Sequence, residues 1–299
     1  MNISEIRSKI GRRVANVVLK SAGSSSLYSS PGDFYSPIVN PDEAIRYVSD
    51  LQTGDRGVGL FPAVDNDTIF GTFERLSQHF SRSGDLLKSR RHRYFESTKF
   101  FCLGDAYVYS AFISELKPRL IIEVGSGFSS ACALDTVDEL GLDTQFVFIE
   151  PNPDRLFKLI SSADRARVTI FQTGVQQVSL SVFDRLEAGD ILFLDTTHIF
   201  KTGSDVTHEL FHILPRLKPG VIIHFHDIFD KWEYPNNWIG DQNRSWNEIY
   251  ALRAFLMYNN EFQIIYFNDF MWQNSKDRID RTALGSLNAA GSGLYLRRL

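Results

Sequence analysis

Cysteine is scarce. The 299-residue sequence has two, Cys102 and Cys132, in apolar surroundings and without the spacing of a metal site. They read as buried thiols of a reducing compartment. No apolar run approaches the ~20 residues of a membrane span. Residues 1–20, MNISEIRSKIGRRVANVVLK, are amphipathic and mildly basic, without the continuous apolar segment or cleavage site of a signal peptide. They read as a helix that docks on the domain or on a second subunit, so a homo-oligomer is one expectation; lying on a membrane surface is the lesser alternative. At a net charge of −4 the chain has no basic surplus, which disfavours nucleic acid as the main partner. A cytoplasmic protein is expected, with neither membrane nor nucleic acid as partner.

What is abundant is aromatic: 24 Phe and 11 Tyr. That load suits core packing or a deep apolar cleft. The most informative stretch is 120–130, LIIEVGSGFSS. Leu120, Ile121, Ile122 and Val124 form a short apolar run that Gly125 stops, the pattern of a strand buried on both faces. Gly125 and Gly127, lacking Cβ atoms, let the backbone turn tightly around Ser126 and approach a ligand. Residues 131–140 then read as a helix that Gly141 closes. Strand, glycine turn and helix together make a nucleotide-sized pocket.

Residues 1–94 are expected to form a helical and loop extension, with helices over 41–51 and 67–80 and a Ser-, Pro- and Tyr-rich loop over 21–41. The basic cluster Lys88, Arg90, Arg91, His92 and Arg93 reads as a solvated face or as a site for a substrate phosphate or carboxylate. Residues 95–299 are expected to form an α/β domain. A helix over 100–116 leads into the first strand. Further strands are predicted over 146–149, 168–171, 191–194, 221–225, 262–267 and 293–296, with helices over 154–162, 178–186 and 206–217. Ser245 and Glu248 read as a capping box that starts a helix through Tyr258. The alternation predicts a doubly wound, Rossmann-like, mostly parallel sheet.

The glycine turn admits two readings. A dinucleotide loop wants G-x-G-x-x-G, but the third position is Ser130, and an acid, Glu123, stands two residues before Gly125. An acid just before G-x-G resembles motif I of the class I S-adenosylmethionine (SAM)-dependent methyltransferases. The resemblance implies a seven-stranded sheet with a closing antiparallel hairpin, SAM as cofactor, and contacts to it from Glu123, Gly125, Ser126 and Gly127. Glu150, an acid at the tip of the second strand, can accept both ribose hydroxyls. The family places the ribose there. Gln172 and Thr173, after the third strand, are candidates to meet the adenine.

A second constellation follows the fourth and fifth strands: Asp195-Thr196-Thr197-His198 and His226-Asp227. Both groups fall on the carboxyl edge that carries the glycine turn, where open α/β sheets bind ligands. If the two strands are neighbours, Asp195 and Asp227 converge and need a cation or proton between them. Mg²⁺ would suit them. The D-x-x-H after the fourth strand and the Asp-ending pair after the fifth resemble the metal-dependent O-methyltransferases of macrolide sugars. That resemblance implies Asp195, His226 and Asp227 as metal ligands and His198 as the catalytic histidine, with Asp195 also at the cofactor. His226 stands where those enzymes carry an acid, a departure toward a ligand suited to transition metals. His198, titrating near neutrality, is expected to act as general base on a hydroxyl of a small-molecule, sugar or glycan acceptor. The span 230–247, with Trp232, Tyr234, Trp238 and Trp246, reads as a lid over that acceptor or as a packed surface loop. A NAD-type oxidoreductase on the same architecture and a non-catalytic binding module are the alternatives.

Overall fold

The structure, a computed structural model, describes residues 28–53, 62, 64–87, 93–95, 100–289 and 291–299. The expected helix over 1–20 and the basic residues Lys88, Arg90, Arg91 and His92 lie outside them. The described residues fall into two compact units, one within 1–58 and 234–246, the other within 59–233 and 247–299.

The larger unit is built on one seven-stranded sheet of order β3-β2-β1-β4-β5-β7-β6. The strands are β1 Leu120–Val124, β2 Gln145–Ile149, β3 Thr169–Phe171, β4 Ile191–Leu194, β5 Ile222–Phe225, β6 Phe262–Phe267 and β7 Leu294–Arg298. β3, β2, β1, β4 and β5 pair in parallel, and β7 runs antiparallel between β5 and β6. β1 is buried at all five positions, which accounts for its continuous apolar run. The expected seven-stranded Rossmann-like sheet with its closing antiparallel strand is therefore present.

Register sets the height of every strand tip. Val124 pairs with both Ile149 and Leu194, and Leu194 pairs with Phe225. The next residues, Gly125, Glu150, Asp195 and His226, leave the sheet at one level. Backbone bonds extend the ladder one step past the strands: Gly125 N donates to Ile149 O, Asp195 N to Val124 O and His226 N to Leu194 O, at 2.9–3.0 Å. The chain order turns outward in both directions at β1 and β4, the switch point where such sheets bind ligands.

Helices cover the sheet. Asn66–Leu87 buries Ile69, Phe73, Leu76 and Phe80, the predicted face, and runs seven residues past the predicted end. Leu103–Leu116 is buried along most of its length and starts three residues late. Phe128–Leu140 closes at Gly141, whose φ of 63° is left-handed.

Three predicted helices are corrected. The one over 154–162 is two, Asp154–Leu159 and Ser162–Arg167, because Ser161 and Asp164 form a capping box that restarts the chain. The one over 178–186 is the 3₁₀ turn Leu180–Arg185, entered through Ser179, whose hydroxyl accepts from Ser181 N. The one over 206–217 is α only over Asp205–His208. It widens to a π turn at Glu209–Ile213 and tightens to a 3₁₀ turn at Leu214–Arg216, where Pro215 offers no N–H.

In the smaller unit the helix Pro41–Thr53 packs its Ile45 against Gly240, just past the helix Asn236–Ile239. Trp238 and Trp246 meet edge to face at 5.4 Å, and the Arg244 guanidinium lies 4.1 and 4.4 Å from their rings.

Arg93, the described member of the basic cluster, is an anchor within the fold. It donates twice to Asp164 (2.9 and 2.6 Å), to Asp135 (2.7 Å) and to Asp138 (2.8 Å). The Asp135 and Asp164 carboxylates are 0% and 5% exposed; removing Arg93 takes the cation from buried Asp135 and leaves Asp164 to Arg167, which donates to it at 3.1 Å. Arg93→Ala is expected to cost about 3–5 kcal/mol of unfolding free energy in a denaturant titration. A loss under about 1 kcal/mol would show the network to be dispensable.

Candidate active site

The glycine turn is locked from beneath. Gly125 has a φ of +85°, and a Cβ there would lie 1.6 Å from the Asp195 carbonyl oxygen, so only glycine lets the tips of β1 and β4 close up. Glu123 is fully buried. Its carboxylate accepts from Tyr109 Oη (2.9 Å), from the Ser130 hydroxyl and, at 3.5 Å, from Ser129 Oγ. Ser130 Oγ in turn accepts from Gly127 N at 3.0 Å. Glu123 thus holds the turn's shape from below and does not reach the crevice above it. Burial raises its carboxyl to about 7, against the opposing pull of the Ser130 and Tyr109 hydroxyls.

Above the turn lies a crevice lined by Gly125, Ser126, Gly127, Glu150, Arg155 and Asp195, with Phe100 and Phe128 at its mouth. Glu150 Oε1 accepts from Asn152 N (2.8 Å), which fixes the carboxylate. The crevice volume is about 70 Å³, below the ~300–1,000 Å³ of a pocket enclosing a ligand of this size. The glycine cradle and the strand-tip acid suit an adenosyl ligand, but side chains at the mouth must give way to admit it. Gln172 and Thr173 are not brought to the lining; the Thr173 hydroxyl turns back to Gln177 Oε1.

One strand over, the second constellation does converge. Asp195, His198 and Asp227 each present a ligand atom within 4.8 Å of the others. His198 Nε2 lies 3.4 Å from Asp195 Oδ1 and 3.7 Å from Asp227 Oδ2, and Nδ1 lies 2.7 Å from Glu248 Oε2. His198 and Asp227 both adopt left-handed backbone, with φ of 60° and 59°, a strained state for these residues. The His198 carbonyl also accepts from Asn247 N and Glu248 N, so the loop and the start of the helix Glu248–Leu256 hold each other. This corrects the expected capping box. Asn247 occupies the cap position, Ser245 Oγ accepts from Val39 N, and the Glu248 carboxylate serves His198 instead.

His226 sits one layer deeper. Its Nε2 is 3.4 Å from Asp105 Oδ2, and its Nδ1 is 3.3 Å from Asp227 Oδ1 and 3.7 Å from Asp195 Oδ1. Asp105 also accepts from Ser292 N (2.8 Å) and Asn268 Nδ2 (3.1 Å). Ser292 Oγ donates to Asp227 Oδ1 at 2.9 Å.

Burial disfavours charge on both imidazoles, and the carboxylates overcome it. Asp195 and Glu248 push His198 up to about 10. Asp227, Asp195 and Asp105 hold His226 well above its ordinary value. Burial would raise Asp227, but His226 and His198 keep it low. The surrounding carboxylates thus favour the imidazolium form of His198 at pH 7, against the expectation of a ring titrating near neutrality. Glu209, at the head of the π turn, is the opposite case, raised well above the ordinary carboxylate range by burial and by the charge of Glu248.

Sequence reasoning missed Glu248, Asp105, Tyr109 and Arg155 as members of the site. Asp105 alone left a signal, an acid in the first turn of a helix rich in apolar and aromatic residues.

Residues 122–228 match a protein family described as a methyltransferase domain. An uncharacterised protein of Archaeoglobus fulgidus is 32% identical over 166 residues, 52% of this chain and 73% of that one. Similar solved structures include an SAH-bound methyltransferase of Podospora anserina, 14% identical with a TM-score of 0.44 over 87% of this chain and 97% of that one. Another is the O-methyltransferase TomG of Streptomyces achromogenes, involved in tomaymycin synthesis and in complex with SAM, 15% identical with a TM-score of 0.40 over 86% and 96%. The chain belongs to the class I SAM-dependent methyltransferases. The NAD-type alternative falls away with that assignment. No helix among the described residues is long and apolar enough to cross a membrane.

A carboxyl whose pKa rises from 4.5 to about 7 on folding stabilises the fold below pH 4.5, and that contribution is lost as pH rises through 7. The unfolding free energy of wild type minus that of Glu123→Gln is therefore expected to fall by on the order of 3 kcal/mol between pH 4.5 and 7.5. Denaturant titrations of both proteins across that range measure it. A pH-independent difference would show that Glu123 ionises normally.

Proposed function

We propose that the enzyme transfers the methyl group of SAM to a hydroxyl of a small-molecule, sugar or glycan acceptor, with His198 as the proton acceptor. The observation that carries this reading is the convergence of Asp195, His198 and Asp227 at the register height of the glycine turn. SAM supplies an electrophilic sulfonium methyl, which needs an oxygen nucleophile held in line. Glu150 takes the ribose hydroxyls, while Gly125, Ser126 and Gly127 cradle the adjoining part of the cofactor.

His198 is built for proton transfer. Its Nδ1 is tied to Glu248, so its Nε2 faces the open side between Asp195 and Asp227. That geometry fixes the tautomer and steadies the ring in both charge states. The same carboxylates keep the ring protonated at pH 7, so it accepts a proton only when their charge is offset. A divalent ion held by Asp195 and Asp227, with His226 Nδ1 beside them, would lower the pKa of an acceptor hydroxyl and leave His198 Nε2 free to take its proton. The strained histidine with a buried carboxylate behind it supports catalysis over a non-catalytic module.

Two measurements test this reading without the acceptor in hand. By calorimetry, Glu150→Ala is expected to weaken SAM binding by about 1–3 kcal/mol, the loss of a charged hydrogen-bond acceptor. Equal affinities would remove Glu150 from the ribose. By NMR titration, the His198 ring is expected to stay protonated at pH 7 and to lose its proton as pH rises toward 10. Glu248→Gln removes one negative charge and should lower that midpoint by about one unit or more. A wild-type midpoint near 6.5 would sink the dyad.

A further inference from the structure

We infer that Arg155 binds the α-carboxylate of the cofactor's amino-acid portion and so selects adenosyl ligands that carry one. This rests on the methyltransferase reading above and adds to it a residue that decides which adenosyl compounds bind.

The argument begins with charge. A SAM molecule brings a ribose diol, a sulfonium, an ammonium and a carboxylate into the crevice. Glu150 and Asp195, the acids of its lining, suit the diol and the positive groups. Neither can meet the carboxylate. Among the described residues that line the crevice, Arg155 alone carries positive charge.

Arg155 is also placed unlike its neighbours. Arg93, Arg119, Arg167 and Arg216 each hold a carboxylate of the fold. The Arg155 guanidinium instead rests 4.0 Å over the Phe100 ring, with no carboxylate partner among the described residues. Phe100 in turn lies parallel to Phe128, the rings 8° apart in tilt. The Arg155 stem crosses the glycine turn, its Cδ 3.1 Å from where a Cβ on Gly127 would lie. The charge is thus parked at the mouth of the crevice on a 60%-exposed ring.

A cation over an exposed ring is held more weakly than a guanidinium forked onto a carboxylate. A ligand carboxylate therefore draws Arg155 off Phe100. The same movement frees the mouth of a crevice that is too small in this structure for the ligand. Binding and opening become one event, and an adenosyl compound without the carboxylate cannot drive it as well.

The test compares S-adenosylhomocysteine with 5′-methylthioadenosine, which lacks the amino-acid portion, by calorimetry on the full chain. Arg155→Gln is expected to weaken S-adenosylhomocysteine about tenfold and to leave 5′-methylthioadenosine within about twofold. Retained binding of the second ligand also reports that the variant is folded. Arg155→Lys should recover part of the loss, as a point charge without the fork. Unchanged S-adenosylhomocysteine affinity, or equal loss for both ligands, would overturn the assignment. Wild type that binds neither ligand would bring down the methyltransferase reading itself, and this inference with it.

Discussion

Two imidazoles sit among four carboxylates at the carboxyl edge of the sheet, and the site depends on that balance. Asp195, Asp227 and Glu248 surround His198; Asp105, Asp195 and Asp227 surround His226. Buried acids this close would repel one another or take up protons unless positive charge lay between them. The rings supply it in the protonated form, toward which the carboxylates shift both of them. The left-handed backbone at His198 and Asp227 follows from aiming those side chains into one space. The backbone bonds that join His198 to Asn247 and Glu248 secure the loop in that state.

Much of this was legible in the sequence. An apolar run ending in glycine marks a buried central strand, and each later run ends in a polar residue, so parallel register delivers Gly125, Glu150, Asp195 and His226 to one height. Local spacing does not show who answers a charge across space. Glu248 lies fifty residues beyond His198 and presented itself as a helix-capping acid, because S-x-x-E is written identically whichever way its carboxylate turns. Asp105 precedes the sheet altogether and reaches His226 only once Leu103–Leu116 has packed. The helices that failed did so at particular residues. Ser161 and Asp164 restart a helix that apolar periodicity reads as continuous, and Pro215 denies the last turn its N–H.

The protonated state of His198 links cofactor to chemistry on the proposed reading. A neutral ring would be ready to accept a proton before any ligand arrived. A ring held positive by Asp195 and Glu248 becomes a base only when something else takes over their attention. Asp195 stands between the two tasks, lining the crevice with one face and meeting His198 with the other. A sulfonium brought into that crevice adds positive charge near Asp195 and so eases the proton off the ring. On the proposed reading, charge would place entry of the methyl donor before deprotonation of the acceptor.

The residue that separates this turn from a dinucleotide loop is Ser130, and its role is chemical. A third glycine would let helix and strand close up, but it would leave Gly127 N without its hydroxyl acceptor and Glu123 with one donor fewer. The buried acid would then press harder toward neutrality, and the turn would lose the strut that shapes it. Glu123, half-ionised near pH 7, also biases what the turn can carry. A pyrophosphate would set further negative charge above an acid and beside Asp195. A cationic adenosyl ligand meets both acids favourably. The serine and the acid beneath it are one constraint, and on the proposed reading it favours a cationic adenosyl ligand over a pyrophosphate.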